Sequence, residues 1–259
     1  MSDSAGWFER APHSVAVLER SAIAREVAAS LVALIDDVLA RRSHATIVPS
    51  AGRTHLETFA ILRDHYGQAV DWRRVVCVQM DEYADVGCAD EGSLSAQVER
   101  ELVAPLKIGR FIRFHDAHGQ LRRPLRGYGQ EIDALGGIDC AIHGVGVNAH
   151  IGFNEPGTLS DENALRVELA GSTRDANGVR FTQGVTLGVA ALVAARTSIV
   201  VLLGAEKRFA AGELLHGGIG VHNPVGYLRH CDRVAIYMDP LAVPVGWPRA
   251  GGVWPNNVG

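Results

Sequence analysis

The 259-residue chain has no apolar stretch long enough to span a bilayer: its most apolar uncharged run, Leu187 to Ala195, is far below the ~20 residues required. Its start, Met1-Ser2-Asp3-Ser4, has neither the basic segment nor the apolar segment of a secretory leader. There is no basic stripe, and the net charge of −4 argues against a nucleic-acid surface. The four cysteines, Cys77, Cys88, Cys140 and Cys231, never form a C-x-x-C pair, so reduced thiols in a cytoplasmic protein are expected, not a zinc site or a disulfide framework. Repeats, linkers and low-complexity tracts are also missing.

What is present is a globular composition. Hydrophobic residues make up 47% and charged residues 21%, and a chain of this length buries enough surface to need no covalent staples. Glycine is in excess, 29 residues or about 11%, and it gathers in short loops after apolar runs.

Apolar spacing of three and four through Ile23, Val27, Leu31, Leu34, Ile35 and Val38 predicts a helix over Ser21 to Arg42. Helices are also expected over Thr54 to Tyr66, Ser93 to Leu102, Pro124 to Leu135, Leu187 to Ala195 and Glu206 to Leu215. Strands are expected at Ala45 to Val48, Val75 to Met80, Ile138 to Ile142, Ser198 to Leu203 and Val234 to Met238. The Pro/Gly-rich end after Pro240 reads as irregular. Strands alternating with helices, each strand nearly all apolar, imply βαβ units. The expected fold is a single-domain, doubly wound α/β protein: a mostly parallel sheet with helices on both faces, one domain over 1–259 with its core at about 20–238.

Ligands of such sheets bind beyond the carboxyl ends of the strands, so the polar residues just after each strand are the candidates. Pro49-Ser-Ala-Gly-Arg-Thr54 runs from strand to glycine turn to helix. There Gly52 allows close backbone approach, Arg53 can grip oxygens in pairs, and Thr54 adds a hydroxyl or simply caps the helix. Gly144-x-Gly146-x-x-Ala149 formally matches a dinucleotide fingerprint, but Gly and Pro in Ile151 to Gly157 break the helix which that site needs. His150, with Asn148 before it and Glu155 after it, forms either a proton-transfer group held by a carboxylate or a loop that merely bonds to itself. Asp81-Glu82 is a candidate general base or a solvated acidic turn. His115-x-x-His118 lacks a third metal ligand and is expected at the surface.

Val76-Cys-Val-Gln-Met-Asp-Glu-Tyr83 and Gly144-Val-Gly-Val-Asn-Ala-His-Ile-Gly-Phe-Asn-Glu-Pro-Gly157 resemble the two signature segments of the glucosamine-6-phosphate deaminase (isomerase) family, which shares its fold with the 6-phosphogluconolactonases. The similarity runs colinearly from about residue 20 to 238. Ala51-Gly-Arg-Thr54 resembles that family's phosphate loop, Gly204-Ala-Glu-Lys207 its phosphate lysine, and Thr173-Arg-x-Ala-Asn177 through Arg180-Phe181 its second phosphate arginine. The resemblance implies that His150 opens the pyranose, Glu155 orients it, and Asp81 moves a proton from C2 to C1. Asn148, where the family usually has Asp, is counted with Asp81, His150 and Glu155 in the catalytic group. Gly52, Arg53, Thr54, Arg180 and Lys207 would hold the phosphate, with no metal and no organic cofactor.

The implied product is a ketose 6-phosphate plus ammonium, the work of a hydrolase-type deaminase/isomerase. The implied partner is a small sugar phosphate, not nucleic acid or membrane, and a homo-oligomer stays open. The chain departs from the family at Asn148, where an Asp is usual, at Ala51 and Arg53, at Glu168, and in a shortened segment after Arg180. These departures lean toward the galactosamine-6-phosphate branch. A lactonase-type hydrolase and a non-catalytic sugar-phosphate binder are the competing readings.

Overall fold

The computed structural model describes residues 13–158 and 161–247. The N-terminal tetrapeptide and the end of the Pro/Gly-rich tail lie outside the described residues.

Ten strands are described: β1 (His13–Val17), β2 (Ala45–Pro49), β3 (Val75–Val78), β4 (Asp81–Tyr83), β5 (Arg110–Ile112), β6 (Cys140–Gly144), β7 (Ala164–Glu168), β8 (Gln183–Leu187), β9 (Ser198–Leu202) and β10 (Val234–Met238). Eight helical segments connect them: α1 (Arg20–Arg41), α2 (Leu56–Tyr66), α3 (Leu94–Val98), α4 (Ala104–Leu106), α5 (Leu125–Ala134), α6 (Gly171–Asn177), α7 (Val189–Val193) and α8 (Arg208–His216). A π-turn, Glu99–Val103, joins α3 to α4.

Seven strands form one parallel sheet in the order β1-β10-β9-β6-β2-β3-β5. Because neighbouring side chains on a strand point to opposite faces, each strand feeds two cores. Ile47, Cys77, Ile142, Ile199 and Tyr237 pack under α1, α2 and the α3–α4 stretch, against Ile35, Phe59 and Leu102. Val48, Val78, Ala141, Val200 and Ile236 pack on the other face against Tyr128 and Ile132 of α5, Leu192 of α7 and Leu214 of α8. The doubly wound expectation therefore holds.

The chain first builds outward through β2, β3 and β5, then returns to the opposite side of β2 with β6, β9 and β10. That reversal opens a crevice between the carboxyl ends of β2 and β6.

Several expected elements are corrected. The strand expected over Val75 to Met80 stops at Val78, because Gln79 diverts its amide into polar contacts with Asp81 O, Glu82 and Phe114 N–H. Asp81 then begins β4 in a second, antiparallel sheet, β4-β8-β7, which packs its own small core around Tyr83, Phe153 and Val167. The helix expected over Leu187 to Ala195 shrinks to α7, since Leu187 closes β8. Thr54 does not cap α2: His55 occupies that position without a side-chain capping bond. The helix expected from Glu206 begins as the 3₁₀ turn Ala205–Lys207 and turns α-helical at Arg208.

Candidate active site

Three loops meet at the β2/β6 crevice. After β2, Gly52 takes φ +89, a left-handed conformation that glycine adopts without a Cβ penalty. Its N–H and C=O are both bound to Gln97, which fixes the turn and leaves Arg53 exposed and Thr54 half-buried. Gly144 ends β6 beside this loop: a Cβ placed there would lie 3.4 Å from Ser50 Oγ and 3.6 Å from Thr54 Oγ1. From the loop after β9, the half-buried Lys207 reaches across and donates to the carbonyl of Val145. Burial lowers the Lys207 pKa, and nearby Arg53 lowers it further against the opposing pull of Glu206. Lys207 and Arg53 are close enough to feel one another's charge, an arrangement that an anion between them would relieve.

Arg180 makes no hydrogen bond or ion pair with this group among the described residues. It sits exposed in the strip between α6 and β8, with no polar partner among the described residues. Its neighbour Phe181 stacks on Tyr83 at 4.7 Å, which holds the strip against β4.

The segment after β6 makes no dinucleotide helix. It turns back on itself through Ala149 at φ +71, with Gly146 N–H bound to His150 O. Glu155 is buried and receives Asn148 Nδ2 at 2.7 Å and the backbone N–H of Ala170 at 3.1 Å. Its Oε2 lies 3.4 Å from His150 Nδ1. Burial alone would push the Glu155 pKa up, but hydrogen bonds and charge from His150, with further bonds from Thr173 and Asn148, outweigh it and hold the carboxyl at about 2.

Asn148 does not touch the imidazole ring. Its amide bonds Glu155 on one side and the His150 backbone N–H on the other, so it ties the loop together. Thr173 Oγ1 lies 3.1 Å from His150 Nδ1, a contact that motif reading missed because Thr173 sits beyond the signature segment.

Asp81 and Glu82 are buried, not a solvated turn. Glu82 accepts five hydrogen bonds, from Gln79, Tyr83 N–H, Ser93 Oγ, Leu94 N–H and Ser95 N–H, and so pins β4 to the start of α3. Burial, and then the charge of Glu82, raise the Asp81 pKa to about 7. The carboxyl can thus accept a proton near neutrality. Asp81 is paired with Thr186 across β4 and β8, and Thr186 Oγ1 receives the N–H of Phe153 in the histidine loop. One seam therefore carries both signature segments.

His115 is buried, contrary to its expected surface position, and His118 is exposed. Among the described residues no group of three His, Cys, Asp or Glu side chains is arranged to hold a metal, and no helix is long and apolar enough to cross a membrane. The cysteines are free thiols, with Cys77, Cys140 and Cys231 buried. Two further histidines, His55 and His143, are fully buried behind the crevice. Burial lowers His55 to about 4, and burial with the neighbouring His55 lowers His143 to about 3.

The class defined by this geometry is a doubly wound α/β protein whose polar loops converge at the sheet's reversal point. The sequence pattern described as glucosamine-6-phosphate isomerases/6-phosphogluconolactonase matches residues 18–236, and the chain belongs to that family. It is 29% identical over 226 residues to a glucosamine-6-phosphate deaminase of Bacillus cereus (strain B4264), covering 84% of each chain. A second deaminase, from Bacillus cereus (strain G9842), is 30% identical over 218 residues, covering 81% of each. The fold matches a monomeric glucosamine-6-phosphate deaminase with a TM-score of 0.80 at 23% identity, covering 88% of this chain and 98% of that one. It also matches 6-phosphogluconolactonase from Trypanosoma brucei with a TM-score of 0.74 at 18% identity, covering 88% and 97%.

Proposed function

We propose that this chain is an amino-sugar-6-phosphate deaminase/isomerase, acting on glucosamine- or galactosamine-6-phosphate as one domain with its core at about residues 20–238. The observation that carries the reading is the buried Asp81, poised to take a proton near pH 7, on the same seam as the His150–Glu155 pair. A lactonase has no use for a second, separately held base at that position, because ring hydrolysis abstracts no carbon-bound proton. The relatives that share 29–30% identity over most of the chain carry the deaminase name.

In this reading Lys207, Arg53 and Thr54 hold the 6-phosphate at the turn around Gly52, and Arg180 closes on it from the strip after α6. His150 takes the proton of the C1 hydroxyl and delivers it to the ring oxygen as the C1–O5 bond breaks, and the pyranose opens. Asp81 takes the C2 proton, giving an enolamine, and returns a proton at C1. The C2 iminium that results adds water and expels ammonium, leaving the ketose 6-phosphate. Glu155 keeps His150 in place, and Asn148 keeps Glu155 in place. Fixing the phosphate supplies orientation, which places C2 against the base for proton transfer.

The test is ammonium release from glucosamine-6-phosphate and galactosamine-6-phosphate by the purified protein, with 6-phosphogluconolactone hydrolysis as the control. Ammonium and ketose 6-phosphate in equal amounts support the reading. Lactone hydrolysis without ammonium release would replace it.

A further inference from the structure

The His150 ring is gripped on two sides. It lies directly over Gly146, where a Cβ would come within 2.2 to 2.5 Å of three ring atoms, so only glycine lets the imidazole settle there. Its Nδ1 edge faces Glu155 Oε2 at 3.4 Å and Thr173 Oγ1 at 3.1 Å. An N–H···O bond has its best range at about 2.7–3.2 Å, so the direct carboxylate contact is long and the hydroxyl contact is not. Thr173 is 1% exposed, and the same helix start supplies the Ala170 N–H that holds the other oxygen of Glu155.

We propose that Thr173 is a positioning residue for His150, holding the Nδ1 edge of the ring beside Glu155 and so fixing which imidazole nitrogen faces the substrate. The proposal rests on the reading of His150 as the ring-opening group. A hydroxyl has one hydrogen to give and lone pairs to accept with. The ionised Glu155 beside Nδ1 favours a proton on that nitrogen, so the Thr173 oxygen accepts from Nδ1–H. That arrangement is satisfied only when Nδ1 carries the proton. The neutral ring then presents a bare Nε2, the nitrogen turned away from the carboxylate, to exchange a proton with the sugar. Without the hydroxyl, the ring loses its short contact and keeps only the long one, so both its tautomer and its orientation loosen.

The experiment compares Thr173→Val, which keeps the shape and deletes the hydroxyl, with Thr173→Ser, which keeps the hydroxyl and deletes a methyl. Thr173→Ala, which leaves a small void in place of a buried methyl, is expected to follow Thr173→Val. Imidazole ¹⁵N spectra, with His150→Gln to assign the resonance, read the tautomer without requiring turnover. The parent and Thr173→Ser should show a single Nδ1-protonated neutral form, and Thr173→Val a mixture. Steady-state kinetics should show kcat falling about 10-fold or more in Thr173→Val with KM within about threefold, and Thr173→Ser recovering most of the loss. An unchanged tautomer in Thr173→Val, or equal losses in Val and Ser variants, would overturn the assignment. If the parent releases no ammonium, the functional reading fails, while the ¹⁵N spectra still decide the role of Thr173.

Discussion

Asp81→Asn should make the protein more stable at alkaline pH while removing its activity. An aspartate in the unfolded chain titrates near 4, whereas burial and the adjacent Glu82 hold the folded Asp81 at about 7. Between those values the folded protein keeps a proton that the unfolded chain has released. Stability therefore falls as pH rises through that window, and the full cost is present above pH 7. Three units at about 1.4 kcal/mol each put the cost at about 4 kcal/mol at pH 8. Asparagine carries no such charge and is nearly isosteric. The variant should unfold at higher denaturant at pH 8, gaining up to about 4 kcal/mol, or roughly 2–4 °C in Tm per kcal/mol for a chain of this size. At pH 4, where the folded Asp81 is protonated and the unfolded one about half protonated, the two proteins should nearly converge. Turnover should fall by ~10²-fold or more, and solvent deuterium should no longer enter C1 of the product. Equal stability of parent and variant at pH 8, or a gain that persists unchanged at pH 4, would refute the claim that Asp81 is ionised at a cost.

Asn148→Asp sets a second carboxylate where the amide now donates to Glu155 at 2.7 Å. The pair should share one proton, and the variant should lose about 1–3 kcal/mol of stability at pH 8 and less at pH 5, checked by urea melts at both values; parallel pH dependences would show that residue 148 does not touch Glu155. Lys207→Ala should raise KM for the 6-phosphate about 10-fold or more with a smaller change in kcat, and an unchanged KM would remove Lys207 from the anion site. His55 and His143 stay neutral in the folded state, so stability is full above the unfolded histidine value of about 6.5 and is lost as pH falls toward their folded values of about 4 and 3. His143→Gln should cut the acid-induced loss between pH 6 and 4 by about 1.4 kcal/mol per pH unit relative to the parent, and an identical slope would contradict its buried neutral state.

The parallel sheet was legible because its strands carry the signal in their own composition: Val75-Val-Cys-Val78 and Ser198-Ile-Val-Val-Leu202 are buried on both faces and read as unbroken apolar runs. The antiparallel sheet was not. Its β7, Ala-Leu-Arg-Val-Glu, is half-exposed and mixes charge into the pattern, and β4 is three residues of which two are acidic. β5 opens on an exposed arginine at the sheet edge, and β1 pairs only with β10 at the far end of the chain. His150, Glu155 and Asp81 were legible as motif residues in loops. Their setting was not, because the hydrogen bonds that define it come from Thr173 and Ala170, some twenty residues on, in a short helix with no apolar periodicity to announce it.

The strand order also constrains how the chain reaches this structure during synthesis. The crevice needs β6 beside β2, an association whose local hydrogen bonds join positions 93 residues apart, and closing so long a loop is slow. α1, β2, α2, β3 and β5 can assemble from neighbouring segments as they leave the ribosome, with one edge of β2 still unpaired. That edge stays open as a template for wrong partners until β6 arrives. β1 waits longer still, because its neighbour β10 is the last of the described strands to be made. A ribosome stalled before residue 234 would therefore display a nascent chain whose crevice has formed but whose first strand has no seat. Protease should clip such a chain ahead of α1, and the cut should vanish once Val234–Met238 has emerged.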